Sequence, residues 1–177
     1  MRKVRPLTMT LLAIATLAAM TAAASDVREV RIEDACDATT FPPEAGCVGK
    51  GNVTFQEFLA TLNPAIGGHR KWAFHFGRGR LDAGESMRVV NEGGEPHSFT
   101  EVVSYGTGVV PPLNGALPPG TPPAVPVGSF PTLDQANAAT LVLPGTDRVV
   151  SGLSPGVHKF QCLIHPWMRL EVEVRAR

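Results

Sequence analysis

From Trp72 onward the chain is written in short runs of two-residue period, each cut off by Gly, Pro or Asp. Trp72, Phe74 and Phe76 fall on one side of the first run, with Lys71, Ala73 and His75 on the other. Further runs cover Met87 to Asn91, Phe99 to Val103, Ala139 to Leu143, Arg148 to Val150, Gly156 to Cys162 and Leu170 to Arg175. Apolar residues at every second position suit strands with one buried face, and closely spaced turns join such strands into an antiparallel sandwich or barrel. The 18 Gly and 16 Pro among 177 residues supply those turns, and a charged fraction of 18% argues against a coiled coil or a charged disordered tail.

Residues 1 to 69 read differently. Arg2, Lys3 and Arg5 precede an apolar stretch from Leu7 to Met20, and Ala22-Ala23-Ala24 follows with small-residue cleavage character. Residues 1 to 24 are therefore expected to be a secretory signal peptide, which places the mature chain in the periplasm or outside the cell. Removing three of the 16 Lys and Arg leaves 13 against 16 Asp and Glu, a net charge of −3. That balance gives no reason to expect a nucleic-acid partner, because phosphate binding needs clustered cations. No apolar run after residue 24 is long enough to span a bilayer.

Residues 25 to 69 are expected to form an N-terminal extension. Val27 to Ile32 alternates and suits a short strand or an extended arm. Thr54 and Glu57 have capping-box spacing, and Phe55, Phe58, Leu59 and Leu62 follow helical periodicity, so one amphipathic helix begins there. Cys36 and Cys47 lie eleven apart around Pro42-Pro43 and Gly46 and are expected to pair. Residues 70 to 177 then form the main domain. Eight of the 16 Pro fall between Pro111 and Pro131, which predicts a stiffened surface loop over residues 106 to 132 without an interior strand or helix.

Pairing Cys36 with Cys47 leaves Cys162 alone, a liability in an exported protein unless a metal or partner occupies the thiol. Cys162-Leu-Ile-His165-Pro-Trp-Met168 places three ligand types three residues apart after a strand, and His97 lies on the separate turn Glu95-Pro-His-Ser-Phe. Two imidazoles, a thiolate and a thioether are the donor set of a type 1 copper site. Soft sulfur suits Cu(I), nitrogen suits Cu(II), and a trigonal set with a weak axial thioether is acceptable to both. Zinc, held with His158 as an alternative ligand, is disfavoured because His158 stands about 13 Å along the strand from Cys162.

These motifs resemble those of small blue copper proteins, the cupredoxins of plastocyanin and azurin type. The Cys-x2-His-x2-Met spacing is that of amicyanin, and Gly156-Val-His-Lys-Phe160-Gln-Cys162 is similar to the strand that carries the family's Cys. The resemblance covers roughly residues 70 to 177 and implies an all-β, Greek-key β-sandwich, here extended by the N-terminal segment. It implies one copper ion held by His97, Cys162, His165 and Met168, and one-electron exchange with a redox partner protein. An enzyme is not implied: no His-x-His pair is present for a copper cluster, and no His adjoins Cys162. The chain is expected to act as a monomer. The alternative is a copper-binding or copper-trafficking protein that passes no electrons. Three finer expectations follow. Ser98 stands where the family often has Asn, with shorter reach between the copper loops. The Ile164 N–H is expected to point at the Cys162 sulfur. His165 is expected to show a ring edge to solvent within an apolar collar.

Overall fold

The computed structural model describes residues 26–177. The predicted signal peptide therefore lies outside the described residues. The described residues form eleven strands: β1 (Val27–Glu33), β2 (Ala73–His75), β3 (Arg80–Asp82), β4 (Ser86–Asn91), β5 (His97–Ser98), β6 (Thr100–Ser104), β7 (Val125–Pro126), β8 (Leu141–Val142), β9 (Asp147–Val150), β10 (Gly156–Gln161) and β11 (Arg169–Arg175). They build one sheet of order β2-β1-β4-β9, a second of order β3-β11-β10-β6-β7, and a small β5-β8 ladder. The result is the expected all-β sandwich.

Alternation drives the packing. On β1, Val30 and Ile32 are fully buried while Glu29 and Arg31 face outward. Across the two sheets, Phe74 meets Phe99 edge-on at 5.1 Å, and Phe99 stacks on Phe160 at 4.4 Å. Each such aromatic removes enough apolar surface from water to contribute about 2–3 kcal/mol.

The N-terminal extension supplies a strand to the sandwich itself. β1 occupies an interior position in the first sheet, running parallel to β4 from Val27 to Ile32 and antiparallel to β2. Helix α1 (Phe55–Ala60) starts as its capping residues require: Thr54 Oγ1 accepts from the Glu57 N–H, and Glu57 returns a carboxylate to the Thr54 N–H. Its one fully buried side chain is Phe58. Cys36 and Cys47 form the expected disulfide.

The Pro-rich stretch departs from the expectation of a plain surface loop. Pro111–Ala116 winds as a 3₁₀ helix, and β7 pairs with β6 at the sheet edge, where a Pro does not interrupt a ladder. Ala116, Leu117 and Ala124 are buried. A second helix, α2 (Leu133–Ala139), follows it; the Thr132 hydroxyl accepts from the Gln135 N–H at its start. The run expected as a strand from Ala139 is accordingly reduced to the two residues of β8.

Candidate metal centre

The ligand loop leaves β10 at Gln161 and returns into β11 at Arg169. Two backbone bonds close it: the Cys162 N–H donates to the Met168 carbonyl at 3.0 Å, and the Met168 N–H to the His165 carbonyl at 2.9 Å. Both hold the turn so that Cys162 and His165 project to the same side. His97 enters from β5, after a turn fixed by fully buried Asn91, whose amide donates to the carbonyls of Glu95 and Val142 and accepts from the Gly93 N–H.

Ser98 ties the two loops together. Its N–H donates to the Cys162 sulfur at 3.4 Å, and its hydroxyl accepts from the Leu163 N–H at 2.8 Å. Ser reaches across because its own backbone also takes part. The second N–H on the sulfur belongs to His165, at 3.3 Å, where Ile164 was expected to supply it. The turn aims the amide of residue 165 inward, so the Ile164 expectation is corrected.

The structure brings His97, Cys162 and His165 into one buried group. His97 Nδ1 and His165 Nδ1 each lie 3.8 Å from Cys162 Sγ and 3.2 Å from one another. A point in the plane of this triangle lies about 2.1 Å from all three atoms, against metal–ligand bonds of roughly 2.0–2.3 Å for nitrogen and sulfur donors. Three donors of type N, N and S surround a space the size of one first-row metal ion, so the residues fit the group the sequence implied. Met168 is buried in the same core, one backbone bond from Cys162.

Each imidazole faces the cradle with Nδ1 and a carboxylate with Nε2. His97 Nε2 lies 2.9 Å from Asp34, which also accepts from the Glu95 and Cys36 N–H groups. An Asp34 carboxylate accepting the Nε2 proton leaves the Nδ1 lone pair free for a metal. Burial pulls the His97 imidazole down, but Asp34 and the nearby Cys162 sulfur outweigh it and raise it to about 9. Burial pushes Asp34 up, yet the His97 bond and backbone N–H donors hold it below the ordinary carboxylate range. Burial likewise opposes ionisation of Cys162, and the two imidazoles overcome this and hold its thiol well below the usual value. A thiolate is the form that binds metal.

His165 Nε2 is 3.7 Å from Glu95, whose carboxylate also accepts from the Trp72 indole N–H. Burial raises Glu95 above its ordinary value, more than the His165 charge and the Trp72 bond lower it. The His165 ring packs edge-on against Phe58 at 6.2 Å and Trp167 at 5.5 Å. It is only 2% exposed, so the expected solvent-facing edge is absent: α1 of the extension covers it. A Cβ on Gly68 would lie 2.2 Å from the Trp167 ring, so this turn approaches the indole as only glycine allows.

Asp34, Cys36 and Glu95 also cluster, but the Cys36 sulfur is committed to the disulfide and offers no thiolate. His158 is occupied elsewhere, bonded to Glu101 and the Ser154 carbonyl.

Solved structures similar to this chain include cupredoxins. A purple cupredoxin from Nitrosopumilus maritimus shares 16% identity, covering 84% of this chain and 99% of that one, with a TM-score of 0.40. A reduced amicyanin variant shares 14% over 54% of this chain and 67% of its own, with a TM-score of 0.33, and a second shares 18% over the same spans at 0.32. No protein-family model matches the chain. No curated protein matches it either.

Asp34, Glu95 and Phe58 are the site residues that sequence reasoning missed. A metal-bound His almost always has an outer partner for its second nitrogen, which signals that a carboxylate should be sought. Nothing in the spacing says which of 16 acidic residues it is.

Proposed function

We propose that this chain is an exported type 1 copper protein that holds one copper ion and passes single electrons to and from a redox partner protein. The observation that carries the reading is the buried triangle of His97 Nδ1, His165 Nδ1 and Cys162 Sγ. Copper bound there would supply one-electron chemistry between Cu(I) and Cu(II). His97, Cys162 and His165 would hold the ion, and the thioether of Met168, buried in the same core, would add a weak fourth donor. Asp34 fixes the His97 ring, while the Ser98 and His165 N–H groups draw electron density from the thiolate and favour the reduced state. Phe58, Trp167 and the surrounding core exclude water, so the donor positions stay put as charge changes.

The Cys36–Cys47 disulfide supports an oxidising compartment, periplasmic or extracellular. No helix among the described residues is long and apolar enough to cross a membrane. The chain is proposed to work as a monomer without catalytic turnover. Potentiometry on copper-loaded protein tests the reading: a reversible one-electron couple, with copper retained during a chelator challenge, is expected. Rapid release of copper to the chelator without a reversible couple would instead identify a copper carrier.

A further inference from the structure

We infer that the Cys36–Cys47 disulfide is a redox switch on the copper cradle, so that thiol oxidation precedes metal loading in the maturation of this chain. The inference rests on the copper reading and adds the order of events. The disulfide joins two segments that converge on the approach to His97. On one side the Cys36 N–H donates to one Asp34 carboxylate oxygen at 3.1 Å. The other oxygen takes the Glu95 N–H and His97 Nε2, each at 2.9 Å. On the second side Val48, next to Cys47, donates its N–H to the Gly94 carbonyl at 2.8 Å. The bond thus clamps both the turn Gly94-Glu95-Pro96 and the carboxylate that orients the first imidazole.

The clamp has no slack. Cys36 is fully buried, the Asp34 side chain is 1% exposed, and a Cβ on Gly94 would lie 2.8 Å from the Cys36 sulfur. In the dithiol form the two sulfurs stand at van der Waals distance instead of sharing a bond, so Cys36 or the Gly94 turn has to give way. Either movement loosens the hold of Asp34 on Glu95 and His97. Oxidation by a disulfide-bearing oxidant closes the clamp. One S–S bond forms in the chain, the oxidant's S–S bond breaks, and two electrons and two protons leave on the oxidant's two thiols. Cys162 takes no part and keeps the thiol that a metal needs.

The test compares the disulfide protein with its dithiol form, made with dithiothreitol that is then removed, and with Cys36→Ser/Cys47→Ser, which offers copper no extra thiolates. In metal-free protein, amide hydrogen exchange at Glu95 should run about tenfold or more faster in both forms that lack the bond, while Val172 of β11 keeps its rate. Glutathione disulfide should restore slow exchange to the dithiol form. Copper affinity of the Ser pair, by chelator competition, should fall about tenfold or more. In an Asp34→Ala background the Ser pair should change affinity little further, because both act through one network. Unchanged Glu95 exchange, full additivity with Asp34→Ala, or unfolding of both forms that lack the bond would overturn the switch. Copper bound by none of the forms would refute the copper reading, and Glu95 exchange would still decide whether the disulfide controls the cradle.

Discussion

The two histidines of the cradle are held by different forces. On the His97 side a charge-assisted bond to Asp34 at 2.9 Å fixes the ring, and a disulfide two residues away fixes Asp34. Gly94 and Gly49 press together beside that disulfide, where a Cβ on Gly94 would lie 2.4 Å from the Gly49 Cα. On the His165 side the nearest carboxylate is 3.7 Å away, and ring packing from Phe58 and Trp167 does the positioning. Hydrogen bonding fixes an angle, whereas packing fixes a volume. Damage to the first should therefore show in the metal, and damage to the second mainly in the fold.

The largest effect is expected from Phe58→Ala. Truncating a fully buried aromatic should cost about 3–5 kcal/mol of unfolding free energy in a urea melt. It should also open His165 to solvent while leaving equatorial donors able to bind metal. Asp34→Ala should do the reverse: copper affinity should fall about 10–100-fold, measured by competition with a chelator. If Asp34→Ala left affinity intact and Phe58→Ala destroyed it, the contrast between the two sides would be wrong.

Ser98→Ala sits between the sides, since the Ser98 hydroxyl joins the His97 strand to the loop carrying His165. Losing the bond to the Leu163 N–H should cost about 1–2 kcal/mol of stability, because that donor is buried. The Ser98 N–H to sulfur would survive, so the copper absorption should change little.

His158 serves as a distant control. Burial lowers its imidazole, but the bond to Glu101 outweighs this and raises it above the ordinary value. A raised folded-state value means the contribution to stability is complete below the ordinary imidazole range and vanishes as pH climbs past the folded one. His158→Gln should therefore lose about 1 kcal/mol or less relative to the parent protein at pH 5 and nothing measurable at pH 9, by thermal melts. A larger deficit at high pH would contradict the assigned ion pair.

What the sequence made legible was local. The spacing within Cys162 to Met168 and the alternation of β1, β4 and β11 depend on neighbours in the chain, and they read directly. Asp34 and Phe58 act on residues 63 and 107 positions away, and nothing in their own surroundings marks them. That distance also explains the mistaken solvent edge of His165, since the covering helix belongs to the N-terminal segment. The seven residues of α2 were missed for another reason: Ala138-Ala139-Thr140-Leu141-Val142 reads equally well as a strand start, and only Thr132 and Gln135 carried a capping signal. Pro density concealed the buried contacts of the long loop in the same way, because composition reports backbone stiffness and says nothing of packing.

The central claim is that the thiolate of residue 162 and the two Nδ1 atoms grip one copper ion together. Its most direct test is the visible absorption spectrum of the protein titrated with Cu(II), run beside Cys162→Ser. An intense thiolate-to-copper band that saturates at one equivalent and is missing from the Ser variant is the predicted result. A spectrum with no such band, or one that Cys162→Ser leaves unchanged, would contradict it.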